Sequence, residues 1–179
     1  MNLKNKIKEL KNIRRFKKEF KKLSHKSSFL ETIDLCDYYL DYKVNMQKNI
    51  ELIISYKIYA YLALDNIDAF MTEKDKVNRN DLTVLIKYYE LLILLDNNDL
   101  RFDSVYEEFL SYKLRPEAGL TTFLILKKEI DNINESLKNK TTLKKNTVDH
   151  IDKSNLPVLK RLLKKTNLYN ENKKGTNTQ

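Results

Sequence analysis

Pro116, Gly119, Pro157 and Gly175 are all the proline and glycine in this chain of 179 residues. A fold built of many short strands needs tight turns, and tight turns lean on those two residue types, so an all-β architecture is disfavoured. Helix is the expectation, and the spacing of apolar residues agrees with it. Hydrophobic residues make up 41% of the chain, enough for one domain to bury a core. The chain reads as an all-α, mostly antiparallel helical bundle with a long central helix and basic ends that are helical or disordered.

Charge divides the chain in three. Residues 1–26 hold 11 lysines or arginines against only Glu9 and Glu19, residues 27–137 hold 12 against 20 acids, and residues 138–179 hold 11 against 3. These spans give the expected organisation: a basic amphipathic N-terminal helix, an acidic helical bundle, and a basic region of linker, short helix and disordered tail. An acidic body between two basic ends, at net +9, suggests a polyanionic partner, or docking of the ends on an acidic surface of this chain or a neighbour.

Lys4, Lys8, Lys11, Arg15, Lys18 and Lys22 recur at spacings of 4, 3, 4, 3 and 4, which keeps them in one stripe along a helix, with Arg14 and Lys21 widening it. Leu10, Ile13, Phe16, Phe20 and Leu23 fall on the other side. The stripe can follow a nucleic-acid backbone without reading sequence, because neutralised phosphates release counterions. The same amphipathy, with Phe16 and Phe20 as anchors, suits a membrane surface.

Ser28 and Glu31 predict a capping box, and no glycine or proline interrupts residues 28–71. One long helix, with a bend near "KVNMQKN", is the favoured reading over two. Asn80 or Asp81 then caps a helix over about residues 81–95, apolar nearly all round, which belongs at a bundle centre or an oligomer interface. Asp103 or Ser104 starts a short helix, and Pro116 suits the first turn of the next. Residues 138–155 read as mainly linker. Ser154 or Asn155 caps a last short helix on which Lys160, Arg161, Lys164 and Lys165 alternate with apolar residues, and "NENKKGTNTQ" reads as a disordered tail.

Catalytic chemistry finds little footing. His25 and His150 read as surface residues, and Cys36, on an apolar stripe, reads as a small core residue. One cysteine forms no internal disulfide, so a reducing, cytoplasmic setting is expected. Three scattered Cys and His residues cannot ligate zinc. "DNNDLRFDSVYE" fails as a calcium loop because Leu100 and Arg101 stand where a ligand and a glycine are needed. No glycine loop cradles a phosphate. The expectation is a non-enzyme without cofactor or metal.

The stretches "IKELKNIRRFKK", "NDLTVLIKYYELLILL" and "LRPEAGLTTFLILKKEIDNINESL" resemble, in order and pattern over about half of the chain, one group of phage terminase small subunits, the non-enzymatic DNA-recognition partners of a packaging motor. The resemblance implies DNA contact through Lys4, Lys8, Lys11, Arg14, Arg15, Lys18 and Lys22, and assembly into a ring. With the second basic set, Lys160, Arg161, Lys164 and Lys165, these are the candidate nucleic-acid-binding residues. The leading expectation is a nucleic-acid-binding or assembly protein, with DNA and further copies of the chain as partners. The alternatives are a helical scaffold with a tyrosine-rich interface, or a peripheral membrane binder.

Overall fold

The computed structural model describes residues 2–78, 80–112 and 120–175, with the backbone alone for 80–81 and 168–175. Among the described residues there are nine α-helices and no strand: α1 (Leu3–His25), α2 (Phe29–Tyr42), α3 (Gln47–Ala63), α4 (Ile67–Glu73), α5 (Asn80–Asn97), α6 (Phe102–Ser111), α7 (Leu120–Asn139), α8 (Lys145–Lys153) and α9 (Pro157–Gly175). The expected all-α class is therefore the observed one. By internal contacts the chain forms two units, Met1–Leu82 and Thr83–Gln179. Their boundary lies within the acidic stretch.

Among the described residues, four helices end in a left-handed cap without glycine. Ser27, Asp65, Asn98 and Lys140 each adopt positive φ, from 52° to 58°, just beyond the ends of α1, α3, α5 and α7. Each is followed by a residue whose N–H reaches back to a carbonyl in the last turn: Ser28 to Leu23 at 3.0 Å, Asn66 to Tyr61 at 2.8 Å, Asp99 to Leu94 at 2.9 Å and Thr141 to Ser136 at 3.0 Å. This left-handed cap normally employs glycine, because a Cβ crowds the backbone there. Here four side-chain-bearing residues take the conformation instead.

The expected long central helix is corrected, since residues 28–71 form α2, α3 and most of α4. The first break, at Lys43–Met46, has a tertiary cause. Glu9 of α1 accepts through Oε1 from the backbone N–H groups of Asn45 (3.3 Å) and Met46 (2.8 Å) and from Asn49 Nδ2 (2.8 Å), so α3 starts on a carboxylate from another helix. The second break is the cap at Asp65, after which Asn66 Oδ1 accepts from Ala69 N–H at 3.1 Å to begin α4. The expected capping box is also corrected: Ser28 occupies the N-cap of α2 without a side-chain cap bond, and Thr32 Oγ1 donates to its carbonyl at 2.9 Å.

The first unit packs around Ile13, Phe16, Cys36, Tyr39, Val44 and Ile53. Phe16 is fully buried, its ring centroid 5.2 Å from Tyr39 and 5.5 Å from Tyr56. Burying such a side chain stabilises by about 1.5–3 kcal/mol. Cys36 is fully buried as well, and burial pushes its thiol up to about 12, with Asp37 adding to the shift.

In the second unit α5 is buried on nearly all sides, including Tyr88 and the run Leu91–Leu94. Phe109 of α6 meets Phe123 of α7 at 4.9 Å between ring centroids. The expected linker contains α8, whose Ile151 is fully buried, because Thr147, Ile151 and Val148 give it an inward face. Pro157 opens α9, at the position where its missing N–H costs nothing, and Ser154 Oγ accepts from Leu156 N–H at 3.1 Å. That helix is longer than expected and takes its backbone into the supposed disordered tail as far as Gly175. Pro116 and Gly119 lie outside the described residues, as do 176–179.

Candidate nucleic-acid interface

A helix as basic as α1 needs a reason to stay folded against the body. Asn2 Oδ1 caps its start, accepting from Lys4 N–H at 3.1 Å, but isolated helices are marginal without tertiary support. The support comes from the inward face, which carries Glu9, Asn12, Ile13, Phe16, Phe20 and Leu23. Asn12 Nδ2 donates to the Lys43 carbonyl at 2.9 Å, so Asn12 and Glu9 grip the same α2–α3 turn. Lower on the helix, Glu19 accepts from Tyr39 OH at 3.3 Å and from Arg15 Nε at 2.8 Å.

Both acids of α1 are thereby turned toward the unit, and the outward face carries cations without an acid between them. Lys4, Lys8, Lys11, Arg14, Arg15, Lys18 and Lys22 are all exposed. Arg15 is paired with Glu19, whose hydrogen bond and charge raise its pKa further. At 1.5 Å rise per residue, Lys4 and Lys22 lie about 27 Å apart along the axis. The stripe expected from the spacing is present as a solvent-facing row on a helix fixed by its other side.

The inward face differs from expectation in one respect. Leu10, expected on it, is 49% exposed, as are Leu3 at 70% and Ile7 at 47%. Glu9 takes the buried place instead, at 5% exposure. Its role was detectable: in a run of lysines, Glu9 falls in helical register with Ile13, Phe16 and Phe20. Phe16 and Phe20, the expected membrane anchors, pack on Tyr56 at 5.5 and 4.2 Å.

The second basic set is divided. Lys160 and Lys164 are exposed, Lys160 Nζ donating to the Asp152 carbonyl at 2.9 Å. Arg161 Nε and Lys165 Nζ instead converge on Asp96 of α5, whose side chain is 6% exposed. A buried carboxylate is costly unless neutralised and hydrogen-bonded, so these two cations are committed to the fold.

Periodicity gave no sign of a polar chain through the second unit. Tyr88 OH donates to Glu129 Oε1 at 2.6 Å, and His150 Nδ1 lies 2.7 Å from Glu129 Oε2. Burial, and next Glu129, hold the Tyr88 phenol well above its usual range. His150, read as a surface residue, is half exposed but holds α8 to α7. A cavity of about 600 Å³ is lined by Leu94, Phe102, Leu137, Lys138 and Lys165 among others, and none of Tyr88, Glu129 and His150 faces it. Among the described residues no cluster of His, Cys, Asp or Glu could hold a metal ion, and no helix is long and apolar enough to cross a membrane. No protein-family model, curated protein or solved structure matches the chain.

Proposed function

We propose that this chain is a non-enzymatic nucleic-acid-binding or assembly protein of the cytoplasm that contacts phosphates through the outer stripe of α1. The carrying observation is the division of α1 into a face locked onto the first unit by Glu9, Asn12 and Phe16 and an exposed face with Lys4, Lys8, Lys11, Arg14, Lys18 and Lys22. A cationic row on a fixed helix binds a polyanion without first ordering a flexible arm, which lowers the entropic cost of association. Lys160 and Lys164 extend the same chemistry on the second unit, whereas Arg15, Arg161 and Lys165 are occupied by acids. The resemblance to terminase small subunits narrows the proposal to DNA packaging in a phage.

The test is binding to unrelated duplex DNA sequences over a range of salt. Each phosphate contact contributes about −0.9 to the slope of log K against log salt. Replacing Lys8, Lys11 and Lys18 with alanine is expected to weaken binding for every sequence alike and to make the slope shallower by about 2.7. An unchanged slope in a variant that remains folded would exclude α1 as the contact surface.

A further inference from the structure

The outward faces of α1 and α2 differ in the same way over most of their lengths. Between residues 27 and 42 there is no lysine or arginine, and the exposed side chains of α2 are Leu30, Glu31, Asp34, Tyr38, Asp41 and Tyr42. Leu30 is 68% exposed and Tyr42 71%. On α1, one flank of the outer face shows the opposite charge with a similar apolar content: Leu3, Lys6, Ile7, Leu10 and Lys17, all exposed. At about 100° per residue this flank lies roughly a quarter-turn from the row of Lys4, Lys8, Lys11, Lys18 and Lys22.

The two faces cannot meet within one chain. α1 already packs on α2 through its inner side, where Phe16 and Glu19 engage Tyr39, so both outer faces are turned away from that contact. We infer that the apolar and basic flank of α1 docks on the acidic, tyrosine-bearing face of α2 in a second copy of this chain. Charge complementarity selects the partner, because each copy carries both halves of the contact. Leu3, Ile7 and Leu10 set against Leu30, Tyr38 and Tyr42 supply the apolar centre such an interface needs. Self-complementarity closes a dimer if the contact is reciprocal and builds a ring or filament if it runs head to tail. The docking flank leaves the phosphate-facing row in place, so the inference stands or falls independently of nucleic-acid binding.

Sedimentation velocity of the full chain decides it, after nuclease treatment and a high-salt wash to remove any bridging nucleic acid. At about 50 mM salt, where screening is weak, the wild type is expected to associate. Lys6→Glu with Lys17→Glu, and separately Asp34→Lys with Asp41→Lys, are each expected to weaken association at least about tenfold, since like charges then face each other. Mixing the two variants is expected to restore it, because each supplies the face that complements the other. That rescue also shows both variants to be folded. A wild type that stays monomeric at about 0.1 mM, association unaffected by either pair of substitutions, or a mixture that fails to associate would each overturn the proposal. A monomeric wild type that binds phosphatidylserine vesicles, and loses that binding with Lys6→Glu and Lys17→Glu, would assign the α1 flank to a membrane instead.

Discussion

Glu9 does for α3 what no residue near α3 does. The N-terminal N–H groups of a helix have no partners within it, and Met46, at the N-cap of α3, makes no side-chain cap bond. One buried carboxylate oxygen answers the backbone of Asn45 and Met46 and the Asn49 amide together. Glu9→Ala is therefore expected to lower unfolding stability by about 2 kcal/mol, the scale of leaving buried donors unmet, with Glu9→Gln milder because an amide oxygen can still accept. Urea denaturation followed by circular dichroism measures both. Equal, negligible effects would show that water satisfies the turn. Glu9 was visible in the sequence as an acid in apolar register within a lysine run. Its partners were not, because they lie 36 to 40 residues away and no local pattern encodes that distance.

At the scale of the element, helix interiors were legible and helix ends were not. Apolar spacing in α1 and α9 reports which side is buried, since burial acts on side chains at helical period, and α5, apolar nearly all round, is buried nearly all round. Ends are usually announced by glycine at the left-handed cap, and here Ser27, Asp65, Asn98 and Lys140 stand in its place. Residues 28–71 consequently read as continuous, and the three helices within them emerge only with tertiary contacts. Lys140 is the least suited of the four to its conformation, lacking the short polar side chain that eases aspartate and asparagine into it. Lys140→Gly is expected to stabilise the chain by about 1 kcal/mol, read as a higher urea midpoint with unchanged slope. A loss of stability would mean that the lysine stem contributes packing that exceeds the backbone cost. The second basic set divides for a related reason: Arg161 and Lys165 look like their neighbours in sequence, and only the position of Asp96 separates them.

For the whole molecule, a net charge of +9 is a poor guide to where a polyanion binds, because cations differ in whether the fold already employs them. The exposed row on α1 holds more free charge than the pair Lys160 and Lys164. Replacing that pair with alanine is expected to make the salt slope of DNA binding shallower by about 1.8 at most, less than the change from Lys8, Lys11 and Lys18. A larger effect from Lys160 and Lys164 would move the principal contact to the second unit. The anchoring of α1 bears on how the chain folds. Its polar grips, one from Asn12 and three on Glu9, reach the α2–α3 turn and the start of α3 across 31 to 40 residues, so these four bonds cannot form until the intervening segment has closed into a loop, with the entropy loss that closure entails. The polar anchoring of the basic helix is therefore expected to come late in its own unit, once α2 and α3 have met.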